Sequence, residues 1–220
     1  MEIARSPATS SRVSPLLRLP VELRLQIYAY LLSYQTDTSR LSSISTSRKT
    51  SAKSLNASIL LVNRQLNDEA TPFLYSQNTF LAHPSLLTSF PRLRSFLPPI
   101  TEPSVLCLIR RIHLTMRLDC GPAFDADTAC RTLSGLEELT IELAQGYFLG
   151  AGCQNLTALE GVRSVTRLRF CGSTIGFETY LAWLREVMMS RPGDQIQKFR
   201  PIEDCLWVDK FTKCNNLIVV

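Results

Sequence analysis

The chain has 220 residues, of which 45% are hydrophobic, and a formal net charge of +5. That length and apolar content suffice for one substantial core or two small ones. No apolar run approaches a bilayer span (Ala57 to Val62 is among the longest), and Met1 to Ser14 lacks the hydrophobic centre of a signal peptide, so a soluble, intracellular chain, cytoplasmic or nuclear, is expected.

Residues 1–14 are polar and serine-rich and read as a disordered tail. A helix over Leu19 to Leu32 follows. Pro20 suits the first helical position, where its missing N–H costs nothing, and Glu22 in the first turn favours the helix dipole. Leu23, Ile27, Tyr30 and Leu31 recur at helical spacing, with Glu22, Arg24 and Gln26 at polar positions. An ordinary amphipathic core helix would show the same spacing. From Ser33 to Ala57, twelve of 25 residues are serine or threonine. That composition offers little to bury, so a mobile insertion is expected over residues 33–56. Ile59 to Ala70 and Tyr75 to Phe80 follow, where the resemblance given next implies a second helix and then a strand.

These segments carry a resemblance through their residue order. Leu19-Pro20 followed by an acidic residue and a hydrophobic stripe resembles the opening of an F-box. Ile59-Leu60-Leu61-Val62-Asn63-Arg64-Gln65 is similar to its later helix. The continuation Tyr75-Ser76-Gln77-Asn78-Thr79-Phe80, and then Ile109-Arg110-Arg111-Ile112, resembles a large group of fungal F-box-like proteins. The resemblance spans roughly Leu16 to Leu118. It departs from the compact F-box at the insertion between the two helices. It implies a non-catalytic adaptor that docks on a Skp-type protein of a cullin ubiquitin ligase and holds an unknown substrate protein. The docking residues it implies are Leu19, Pro20, Leu23, Ile27, Leu31, Leu61 and Val62.

The second half carries a recurring pattern. Ile109-x-x-Ile112-x-Leu114, Leu136-x-x-Leu139-x-Ile141 and Val165-x-x-Leu168-x-Phe170 share Leu-x-x-Leu-x-Leu character, with central positions 27 and then 29 residues apart. Those spacings lie within or at the limit of the leucine-rich-repeat period, and each segment alternates as a short strand should. Asp125 or Asp127 can cap a helix through Leu133, Leu156 to Glu160 suggests another, and Phe177 to Met189 is the strongest, its face formed by Tyr180, Leu181, Leu184, Val187 and Met188. Strand–helix alternation predicts parallel strands covered by helices, either as repeats or as a generic α/β layer.

The expected fold class is therefore α+β or α/β. An F-box-like helical module over 15–82 is followed by an irregular leucine-rich-repeat-like β/α domain over 83–220. If Ile112, Leu139 and Leu168 point inward, Arg111, Glu138 and Arg167 form a row on the opposite face, with His113, Thr140 and Arg169 in the next. That face is a candidate ligand surface or a plain solvated face.

Composition argues against catalysis. His83 and His113 stand apart from any metal-ligand spacing, so no metal or cofactor is expected. Gly146 to Gly152 lacks the Gly-Lys-Ser/Thr that holds phosphate, and Gly172 to Gly176 lacks the spacing of a nucleophile elbow. Seven cysteines, with no Cys-x-x-Cys pair, read as reduced thiols. A thiol nucleophile with a partner distant in sequence is the one enzymatic route left open. Residues 1–57 hold eight Lys/Arg against three Asp/Glu, so the whole charge excess lies there. Scattered cations without interleaved aromatics make a poor nucleic-acid footprint, which leaves a basic-tail nucleic-acid binder behind an F-box-derived scaffold that lacks ligase binding.

Overall fold

The structure is a computed structural model that describes residues 14–34, 55–82, 91–94, 97–145 and 153–200. The expected tail up to residue 13, the insertion over 35–54, His83 and Gly146–Gly152 lie outside the described residues. The chain divides into two compact units, one ending at Leu74 and the other taking up at Tyr75. Each is described by itself.

In the first unit, a 3-10 turn over Pro15–Arg18 precedes helix α1 (Val21–Leu32). Pro20 stands at the N-cap, with φ −52° and ψ 149°, one residue before the expected first helical position. Its carbonyl accepts from both Leu23 and Arg24 N–H, which starts the helical ladder. The side chains that α1 buries are Arg24, Tyr28 and Leu32, spaced by four. The expected stripe of Leu23, Ile27, Tyr30 and Leu31 is not the core face; Leu23 and Tyr30 are exposed, and Ile27 and Leu31 half-buried.

The second helical segment also differs from expectation. Ile59 to Leu61 belongs to a 3-10 turn over Ala57–Leu61, and helix α2 (Arg64–Gln77) begins only at Arg64. Asn63 explains the break. Its side-chain oxygen accepts from Gln65 N–H at 2.8 Å, the bond of an N-cap, so a new helix starts there. Asn67 Nδ2 ties the helix back to the turn by donating to the Leu60 carbonyl at 2.8 Å. Leu66 and Ala70 supply its buried side within the unit.

The second unit is built on four parallel strands in the order β1 (Thr79–Ala82), β2 (Arg111–Arg117), β3 (Glu138–Ala144) and β4 (Arg167–Gly172). Because β1 pairs with β2, the sheet unit begins before residue 83, earlier than the expected boundary. Sequential order with parallel pairing requires a crossover between each pair of strands. Helix α3 (Pro103–Leu106) lies in the first crossover, helix α4 (Ala126–Leu133) in the second and the 3-10 helix Cys153–Leu159 in the third. Helix α5 (Glu178–Met189) follows β4. It packs on β4 and on Cys153–Leu159, which in turn packs on α4.

The register is the one that the spacings imply. Ile112 pairs with Leu139 and Leu139 with Leu168, all three buried. Leu114, Ile141, Met116 and Leu143 continue the same inward face. Asp125 caps α4 through Thr128 N–H at 2.8 Å, and all five residues expected on the α5 face are buried. Fully burying such a side chain stabilises by about 1.5–3 kcal/mol, so this face is the main driving force of the unit.

Two polar details fix the ends of this layer. Asn155, which matches a glycosylation pattern, donates Nδ2 to the carbonyls of Leu118 and Cys120 at 2.8 and 2.6 Å. Its amide thus joins the third crossover to the end of β2. Gly172 ends β4 at φ +84°, and a Cβ built there would lie 2.2 Å from the Leu143 carbonyl oxygen. Only glycine fits.

Candidate interaction surfaces

The first surface belongs to the helical unit and begins with an inversion of the usual pattern. Arg24 is buried, and its guanidinium forms two 2.7 Å bonds to Glu69, Nε to Oε2 and Nη2 to Oε1. Tyr28 Oη donates to Glu69 Oε2 at 3.0 Å, and Gln65 Nε2 to Oε1 at 3.0 Å. The remaining reach of Arg24 goes to the Leu19 carbonyl, which anchors the turn ahead of α1. These donors, Arg24 foremost, hold the Glu69 carboxyl down to about 2. Two-pronged pairing of this kind is stronger and more directional than a single charged contact.

With part of the inner side of α1 given to this polar lock, several of its apolar residues are left outside. Leu23 is 44% exposed, and Leu61 and Val62 in the 3-10 turn and its edge are 88% and 67% exposed. Pro20 is exposed, while Leu19, Ile27 and Leu31 are half-buried. Four of the seven expected docking residues are therefore accessible and three partly so. Val21, Leu25 and Tyr30 are exposed as well. They were missed because helical spacing alone placed the core face on the wrong side of α1.

The second surface is the outward face of the sheet. Arg111, Glu138 and Arg167 stand side by side in register, and His113, Thr140 and Arg169 form the row above. The carboxylate that joins the two arginines is not chiefly Glu138. Glu137 Oε1 accepts from Arg111 Nη2 at 3.1 Å and from Arg167 Nη2 at 2.7 Å, whereas Glu138 stands 3.6 Å from Arg167. Glu137 precedes the strand, so alternation gave no reason to place it on this face.

His113 is not available to a ligand. It is buried, and its Nε2 lies 3.0 Å from Glu142 Oε2 on the neighbouring strand. A central strand flanked on both sides leaves an imidazole little access to solvent. Thr140 and Arg111 are half-buried, while Arg167 and Arg169 on the last strand are exposed.

Burial pushes the Cys153 and Cys171 thiols up, away from the reactive thiolate, and Glu142 adds to the effect at Cys171. Among the described residues, no three His, Cys, Asp or Glu side chains are grouped to hold a metal ion, and no helix is long and apolar enough to cross a membrane. No family model, curated protein or solved structure matches the chain.

Proposed function

We propose that the chain is a non-catalytic F-box-like interaction protein. Its helical unit docks on a Skp-type adaptor of a cullin ubiquitin ligase, and its sheet unit holds a substrate protein. The observation that carries this reading is the apolar surface of the helical unit. Leu23 on α1, with Leu61 and Val62 at the end of the 3-10 turn, is left exposed while Arg24 takes the interior. An exposed large apolar patch is the informative exception on a protein surface, and buried apolar anchors dominate interface energetics. The order of residues from Leu19-Pro20 to Asn63-Arg64-Gln65 supports the choice of partner.

The test is co-purification of the full chain with a purified Skp-type adaptor, followed by titration calorimetry. Leu61→Asp should lower affinity about tenfold or more, the equivalent of about 1.4 kcal/mol, because Leu61 has almost no intramolecular contact to lose. Wild-type chain that binds no adaptor would reject the reading. Unchanged binding by Leu61→Asp together with Leu23→Asp would reject the surface.

A further inference from the structure

Among the described residues, β4 is an edge strand of the sheet, with no strand paired on its outer side. Arg167 N–H donates to Glu137 and Ser173 N–H to Leu143, so the odd-numbered residues of this stretch direct their backbone groups toward β3. The even-numbered residues, Leu168 and Phe170, therefore direct theirs outward. The outward carbonyl of Leu168 is taken by Arg185 of α5, through Nε at 3.2 Å and Nη2 at 2.6 Å. Among the described residues, the outward N–H of Leu168 and both backbone groups of Phe170 have no partner. A parallel edge with vacant donors is a template for one more strand.

Three cations flank that edge. Arg185 reaches the backbone at Leu168, between Arg167 and Arg169, and all three side chains are exposed. Arg167 is engaged by Glu137, but Arg169 has no ion pair among the described residues. Arg185 spends Nε and Nη2 on a neutral carbonyl and has no ion pair among the described residues. Glu186 is next on α5, yet successive helical residues do not face the same way. Vacant backbone donors beside these two guanidinium groups suit an extended acidic segment.

We infer that the outer edge of β4 is a docking site for an extended acidic peptide segment of a partner protein. The segment adds as a strand, its carbonyls accepting from Leu168 and Phe170 N–H and one of its N–H groups donating to the Phe170 carbonyl. Its carboxylates pair with Arg169 and Arg185. This site lies on the sheet unit and holds whether or not the helical unit binds a Skp-type adaptor.

The experiment uses the full chain and a short fluorescein-labelled peptide of alternating threonine and glutamate, with binding read by fluorescence anisotropy. The acidic peptide should bind, and its threonine–lysine counterpart should not. Arg169→Glu should weaken binding about tenfold or more, since it reverses a charge facing the ligand. Arg169 has no ion pair to lose among the described residues, so this variant should keep the wild-type circular dichroism, whereas Arg185→Glu also removes the bonds to Leu168. N-methylation of alternate peptide residues should also abolish binding, because the strand ladder needs those N–H groups. The proposal is overturned by absence of binding, by equal binding of the lysine peptide, by an Arg169→Glu variant that binds normally, or by an N-methylated peptide that binds as well as its parent. A dimer in sedimentation that the peptide does not disperse would assign the edge to a second copy and likewise overturn it.

Discussion

Glu69 accepts from Arg24, Tyr28 and Gln65, and the consequence is a defined acid sensitivity. Its carboxyl is held at about 2, below the ordinary 4.5. A depressed carboxyl contributes stability that is fully present above about pH 4.5 and is lost as pH falls through about 2. Glu69→Gln should therefore lower stability at neutral pH and flatten the acid limb of a denaturation profile between those values. Urea titrations followed by circular dichroism at stepped pH would check it, and an unchanged acid limb would refute the assignment. Gly172 makes a second demand at this scale. Gly172→Ala should destabilise by more than about 1 kcal/mol, because φ is positive and the Leu143 carbonyl occupies the space of the new methyl. Of the two, only Gly172 was singled out in advance, at the head of the glycine-bounded segment Gly172 to Gly176. Arg24 was read as a solvent-facing polar position because its partner stands 45 residues away.

At the scale of elements, the β-strands were the more legible. A strand with one buried face must alternate, and the recurrence of Ile112, Leu139 and Leu168 carried both the strands and their register. The helix α5 was legible for the same reason, since five apolar residues at helical spacing had no competing partner. The helix α1 was not, because its long apolar run fits several faces and a buried ion pair, invisible to periodicity, selects among them. The ionic row was half legible. Its arginines follow from the register, but Glu137 lies just outside the alternating segment. Leu139→Ala should cost about 2–5 kcal/mol through lost burial and a cavity. Glu137→Gln and Glu138→Gln should each cost under about 1 kcal/mol, being part-exposed ion pairs. Thermal denaturation of the three variants orders them, and the larger of the two small losses should fall on Glu137, which serves both arginines.

At the scale of the whole molecule, charge and apolar surface are distributed differently, and that difference separates two ways of binding a partner. The entire +5 excess lies in residues 1–57, while the exposed apolar side chains of the helical unit include Leu61 and Val62 beyond them. If the apolar surface holds the adaptor, affinity should depend little on ionic strength, because burial of hydrocarbon is not screened by salt. If the basic segment holds a partner through its excess charge, affinity should fall steeply as the Debye length shrinks from about 10 Å at 0.1 M to about 3 Å at 1 M. Calorimetric titration of the adaptor into the full chain across that range should therefore change Kd by less than about threefold, under 1 kcal/mol. A drop of two orders of magnitude would transfer the binding from Leu23, Leu61 and Val62 to the cations of the first 57 residues. The helical unit would then be a carrier of charge rather than an apolar docking surface.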